Sequence, residues 1–139
     1  MLPATASIRH VGLVLKETAA PAPKLRRNME VVAVNRADGA RAEIARNLQA
    51  VERLKADLAA GVAALYQAMY RNDDAEIESA LAAVVASAFL LSRRLGMSFA
   101  GLDTAVLRRL RALAQQGHEA EQWFGDCSAL LKYLQDGAG

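Results

Sequence analysis

From Ile44 onward, apolar residues recur at spacings of three and four: Ile44, Leu48, Val51, Leu54, Leu58, Val62, Leu65 and Met69. That spacing keeps one side of an α-helix apolar. It predicts one long helix, or two nearly collinear ones, from about Asp38 to Arg71. Asn72-Asp73-Asp74 interrupts the pattern, and Asp73 followed three residues later by Glu76 reads as an N-cap with its capping-box partner. The next apolar series is Ile77, Leu81, Val84, Val85, Ala88, Leu91 and Leu95, with Gly96 placed to end it. Ser98 is placed to cap a third helix with Leu102, Val106, Leu110 and Leu113 on one face, stopping at Gly117. A fourth helix is expected to carry Ala120, Trp123, Phe124, Cys127, Leu130, Leu131 and Leu134, with Gly137 beyond its end.

Before Asp38 the pattern differs. All three prolines, Pro3, Pro21 and Pro23, lie there, with two short aliphatic runs, Val11–Leu15 and Val31–Val34. Each run has the β-branched character of a strand, so residues 1–37 read as an irregular or loosely β N-terminal arm. Residues 38–139 read as a helical bundle. Short connections make neighbouring helices antiparallel. The expected fold is therefore all-α: an antiparallel bundle of about four helices preceded by an arm.

Composition narrows the function only by exclusion. The chain has 139 residues, one domain's worth, with 53% hydrophobic but only 5% aromatic residues, so the apolar content is aliphatic and alanine-rich. One cysteine rules out an internal disulfide and a cysteine-based zinc site, and two histidines make a multi-histidine centre improbable. No uninterrupted apolar run spans a bilayer and the N-terminus has no secretory pattern, so a cytoplasmic location without membrane contact is expected. Charge is uneven: residues 1–36 hold six Lys/Arg against Glu17 and Glu30. Such an arm suits nucleic acid or an acidic partner, although a solvated tail is the simpler reading. The stretch Ser79–Ser92 carries no charge on any side. A helix apolar all round is surrounded by protein, and a four-helix monomer leaves part of each helix wet, so a homodimer is expected.

The stretch Ala80-Leu81-Ala82-Ala83-Val84-Val85 through Leu91-Ser92-Arg93-Arg94-Leu95-Gly96-Met97-Ser98-Phe99, followed by Leu107-Arg108-Arg109-Leu110, resembles the MazG-type all-α nucleotide pyrophosphohydrolases. The segment Gly117 to Asp126, with Leu130 and Tyr133-Leu134, is similar to the tail of the small MazG-like relatives. The resemblance covers about residues 44–135. It implies an enzyme that splits nucleoside triphosphates into monophosphates and pyrophosphate. In that family two helices supply E-x-x-E and E-x-x-D pairs that hold magnesium. Residues three apart share a helix face, so two helices aim four acids at one point.

Laying the family's R-L-G on Arg94-Leu95-Gly96 places the second acidic pair at Ala80 and Ala83. The same register carried back places the first pair at Gly61 and Ala64. None is a carboxylate, and residues 58–70 and 79–92 contain no Asp or Glu in any frame. An aliphatic face cannot hold a divalent cation, so no cofactor is expected. The small residues Gly61, Ala64, Ala80, Ala83 and Ser87 suggest that the former cleft has closed into a dry helix–helix contact. The alternative is that alanine is simply a good helix former.

Other acids are candidate substitute ligands: Asp74, Glu78, Glu119 and Asp126. Asp74 and Glu78 share a face in the first turns of a helix, where they also suit the helix dipole. Glu119 and Asp126 lie seven apart with His118 beside the first, an arrangement an ordinary helix start also explains. Arg93 and Arg94 are the candidate phosphate contacts, though a helix C-terminus attracts arginines by itself. Trp123, Phe124 and Cys127 read as packing residues. The expectation is a MazG-like oligomer without catalysis, acting as a regulatory or binding module. The alternatives are a magnesium-dependent pyrophosphohydrolase that uses these other acids on a nucleotide, and weak nucleic-acid binding through the arm.

Overall fold

A computed structural model describes residues 22–137, and these form five helices and no strand. They are α1 (Pro23–Arg71), α2 (Asp74–Arg94), α3 (Phe99–Gln115), α4 (Glu119–Phe124) and α5 (Asp126–Asp136). The all-α expectation is met. By packing, the described residues divide into two units, 22–45 and 46–137.

The expected strand at Val31–Val34 is wrong: those residues lie inside α1, which starts at Pro23 rather than near Asp38. Proline is at home at the first helical position, where its missing N–H would have no partner anyway. No proline follows Pro23. The preference of three valines against helix is a few tenths of a kcal/mol each, less than the cost of nucleating another element. The other expected strand, Val11–Leu15, lies outside the described residues. Every described residue up to Ala45 is exposed, including Leu25, Met29 and Val32 along one side of α1.

Within the second unit, α1 and α2 are antiparallel partners. Gly61 faces Val84, and the Asn47 side-chain amide donates to the Arg94 carbonyl (3.3 Å), occupying an acceptor that the end of α2 leaves open. The turn between them bears out the N-cap but not the capping box, because the Asp73 N–H donates to the Ala68 carbonyl (3.2 Å) and the Glu76 carboxylate turns to Arg71. Asp73 accepts from the Glu76 N–H (3.1 Å) as the N-cap of α2, and Arg71 pairs with Glu76 (3.1 Å). Ser98 caps α3 through the Gly101 N–H (2.9 Å), and the α2–α3 corner is packed by Phe89 against Phe99 with Arg93 over the Phe99 ring. Helix α3 packs chiefly on α5, with Leu110 and Cys127 buried in the two elements.

The expected fourth helix is two. Gly125 adopts φ +69, a left-handed conformation that glycine enters without a Cβ penalty, and it separates α4 from α5. Across this break, Glu121 accepts from the Ser128 N–H (2.9 Å) and from the Ser128 hydroxyl. The Ser128 hydroxyl, and then its backbone N–H, hold the Glu121 carboxyl below its ordinary value. A carboxylate whose pKa falls on folding stabilises the fold above its unfolded pKa and loses that contribution as pH drops through the folded one. Glu121→Gln should therefore lower the denaturation midpoint at neutral pH. The gap from wild type should narrow on acidification, as measured by urea titrations across the acid range.

The core is thin. The buried apolar residues are Ala68, Ala80, Leu110 and Cys127, and no large side chain is fully buried among the described residues.

Candidate functional site

The small residues singled out by the family register meet in space. Gly61 and Ala64 of α1 and Ala80 and Ala83 of α2 line one groove of about 340 Å³, together with Gln67, Arg71, Glu76 and Ser79. Helical spacing explains the assembly. Residues 61, 64, 67 and 71 follow one edge of α1, and 76, 79, 80 and 83 follow the matching edge of α2. The antiparallel register set by Gly61 and Val84 brings the two edges side by side. Sequence reasoning missed Gln67, Ser79 and the Arg71–Glu76 pair. Their spacing from the small residues was the available signal, but nothing in the sequence alone says which flank of a two-helix contact stays open.

Of the five small residues, Gly61, Ala80 and Ser87 are buried, and Ala64 and Ala83 are exposed. A Cβ added to Gly61 would stand 3.1 Å from Val84 Cγ2, so here the helices are as close as a glycine allows. Ala80 is buried as well, whereas Ala64 and Ala83 are exposed along the groove. The expectation of a dry contact along the whole face is therefore corrected. Alanine side chains are too short to fill the gap between two helix edges, and at position 61 Val84 fills it instead.

The donor set does not fit a divalent cation. Magnesium takes oxygen ligands, chiefly carboxylates and water. The groove offers one carboxylate, Glu76, already paired with Arg71, one amide and one hydroxyl. No group of three or more His, Cys, Asp or Glu that could hold a metal occurs among the described residues.

The other candidates do not join the groove. Asp74 and Glu78 sit in the first turns of α2, and neither lines it. Their neighbour Glu76 does, bound to Arg71. Glu119 opens α4, where His118 Nδ1 accepts from the Ala120 N–H (3.1 Å) as a cap. Asp126 opens α5 beyond the Gly125 break. These groups belong to helix starts. Arg94 follows Ala83 by about 16 Å along α2 at 1.5 Å per residue, too far for one pocket. Arg93 is engaged with the Phe99 ring, 5.5 Å from its centroid. Helix α2 also has a window of mean hydropathy 1.6, long and apolar enough by length and composition to cross a membrane. Its charged residues lie at the two ends, so the uninterrupted apolar run is shorter than the helix.

The geometry separates the two ends of the groove experimentally. Gly61→Val should cost about 1–3 kcal/mol by overpacking against Val84. Ala83→Val, which projects into open space, should change stability by well under that amount. Denaturant titration of both variants measures the difference.

A family model described as MazG-like family matches residues 44–127, more than half of the chain. No curated protein and no solved structure matches the chain. The matched span contains both edges of the groove, the Arg94-Leu95-Gly96 turn and the α3 helix, and it begins where α1 acquires packing partners. The chain is a member of the MazG-like family.

Proposed function

We propose that this protein is a non-catalytic MazG-like module, a binding or regulatory element that works as a homo-oligomer in the cytoplasm. The supporting observation is the groove itself. Positions that the family register assigns to four acids hold Gly61, Ala64, Ala80 and Ala83, and they still face one another across the same two helices. The scaffold that would aim metal ligands is kept, and the ligands are replaced. A cation brought there would lose part of its water and gain no anionic oxygen in return beyond Glu76, which Arg71 already neutralises. The free, buried Cys127 suits a reducing compartment.

Contact with protein rather than lipid is part of the proposal. The charge-free stretch Ser79–Ser92 extends about 21 Å at 1.5 Å per residue, short of a hydrocarbon core of about 30 Å. Asp74, Glu76 and Glu78 precede it and Arg93 and Arg94 follow it directly. A second reading, weak nucleic-acid binding, draws on the exposure of Lys24, Arg26, Arg27 and Arg36 on the first part of α1. Binding that falls steeply with added salt would favour it.

The enzymatic alternative is tested by pyrophosphate release from a panel of nucleoside triphosphates with Mg²⁺ or Mn²⁺ at high protein concentration. No release above the uncatalysed background is expected. The triple variant Ala64→Glu/Ala80→Glu/Ala83→Asp, which leaves the tight Gly61 position alone, should give a saturable heat on Mg²⁺ titration that wild type lacks. Turnover by wild type, abolished by Asp74→Asn/Glu78→Gln or Glu119→Gln/Asp126→Asn, would overturn the reading.

A further inference from the structure

The second turn of α3 meets the last turn of α5 around a cavity of about 220 Å³, lined by Asp103, Tyr133, Leu134 and Gly137. Three of its features suit a cation. The first is the Asp103 carboxylate. Its neighbours one helical turn away, Phe99, Ala100, Val106 and Leu107, carry no positive charge, and no ion pair engages it among the described residues. Arg108, the nearest basic residue on α3, follows by about 7.5 Å along the axis at 1.5 Å per residue. The second is Tyr133, 72% exposed, whose ring face attracts positive charge. The third is the end of α5 itself, because the C-terminal carbonyls of a helix carry partial negative charge. Lys132, the one basic residue of α5, falls by helical spacing on the other side of that helix from Tyr133, Leu134 and Gly137.

We propose that this cavity receives the side chain of an arginine presented by a partner protein, with Asp103 pairing its guanidinium and Tyr133 stacking on it. The site lies on different helices from the α1–α2 groove and goes beyond the proposed function, which stands or falls separately. Size selects a side chain over a free ligand. Cavities for drug-sized molecules measure about 300–1,000 Å³. A cavity of 220 Å³ is too small for a nucleotide or an organic cofactor. The negative surroundings repel phosphate, and one carboxylate is too few for magnesium or calcium. Guanidinium suits the cavity better than ammonium does. It is planar, gives a carboxylate two parallel N–H donors, stacks on an aromatic face and sheds water more readily.

The surroundings favour a polypeptide over a free cation. From Ala112 to Leu131 the charged residues are Glu119, Glu121 and Asp126, all acidic. Trp123 and Phe124 in the same stretch are 67% and 73% exposed. Helix α5 joins that stretch to the cavity over about 15 Å at 1.5 Å per residue. An extended segment of about five residues covers the distance, so a peptide anchored at Asp103 reaches the acidic stretch as well. A free cation gains nothing from it.

Titration of the isotopically labelled full chain with N-acetylarginine amide, followed by amide and ring resonances, tests this. Saturable shifts are expected at Asp103, Tyr133 and Gly137, and N-acetyllysine amide should bind several-fold more weakly. Asp103→Asn should raise the Kd about tenfold while keeping the helical circular dichroism of wild type, because the side chain is exposed. An acetylated pentapeptide with arginine at both ends should bind about tenfold more tightly than the single amide, and Trp123→Ser/Phe124→Ser should remove that gain. Linear shifts with N-acetylarginine amide, or saturation unchanged in Asp103→Asn, would overturn the site. Equal binding of uncharged N-acetylnorleucine amide would overturn the cation, and equal binding of the lysine amide would overturn the choice of arginine. A peptide no tighter than the amide, or a gain that survives the aromatic variant, contradicts the polypeptide. If Asp103→Asn loses helicity, salt decides: binding that weakens with added sodium chloride supports the charge pair, and indifference to salt contradicts it. Loss of an oligomer on Asp103→Asn, read by light scattering, would give the cavity to a second copy and overturn the choice of partner.

Discussion

Between Ser79 and Ser92, helix α2 offers water only aliphatic carbon, one phenyl ring and three serines, and the rest of the second unit is arranged by the need to cover it. Helix α1 takes one side, bringing Gly61 against Val84. The start of α3 takes another at the Phe89–Phe99 corner. Serine is compatible with these contacts because its hydroxyl turns inward: Ser92, nearly buried, donates to the Phe89 carbonyl at 2.7 Å. What α1 and α3 leave uncovered includes the part of α2 around Leu81 and Val85, and the groove lies at the border of the α1–α2 contact.

The groove is shaped by the demands of a charged site. A metal site needs several anionic oxygens converging on a point, and their mutual repulsion is relieved only by the cation. On the proposed register, glycine and alanine in place of four acids would remove repulsion and ligand set together, so the two helices would need no metal between them. The Arg71–Glu76 pair then supplies the charge at the groove, and it is internally neutral. Because that pair is exposed, its contribution to stability is small. Its chief effect is to fix which polar atoms a visitor to the groove would meet.

Much of the fold was legible in the sequence because helix ends are written locally. Asp73, Ser98, Gly96 and Gly117 stand where the structure caps and stops its helices. Two errors share one cause. Val31–Val34 looked like a strand because β-branching is a weak local preference, and an adjoining helix overrides it. The fourth helix looked continuous because a single glycine at Gly125 is tolerated in many helices, and only its positive φ marks the break. The groove was half legible. Counting back from Arg94-Leu95-Gly96 singled out Gly61, Ala64, Ala80 and Ala83, and these four line the groove together. It could not separate the tight contact at Gly61 from the open space at Ala83, since that depends on where Val84 points. Nor could it find Gln67 and Ser79, whose side chains have no distinctive spacing.

The central claim is that the family's cation site has been emptied of ligands while its framework is kept. The most direct measurement is a magnesium titration followed by amide resonances of Ala64, Ala80 and Ala83 in the isotopically labelled protein. The account predicts small, linear, non-saturating changes indistinguishable from those of surface residues. Saturable shifts confined to these three positions and their neighbours would contradict it.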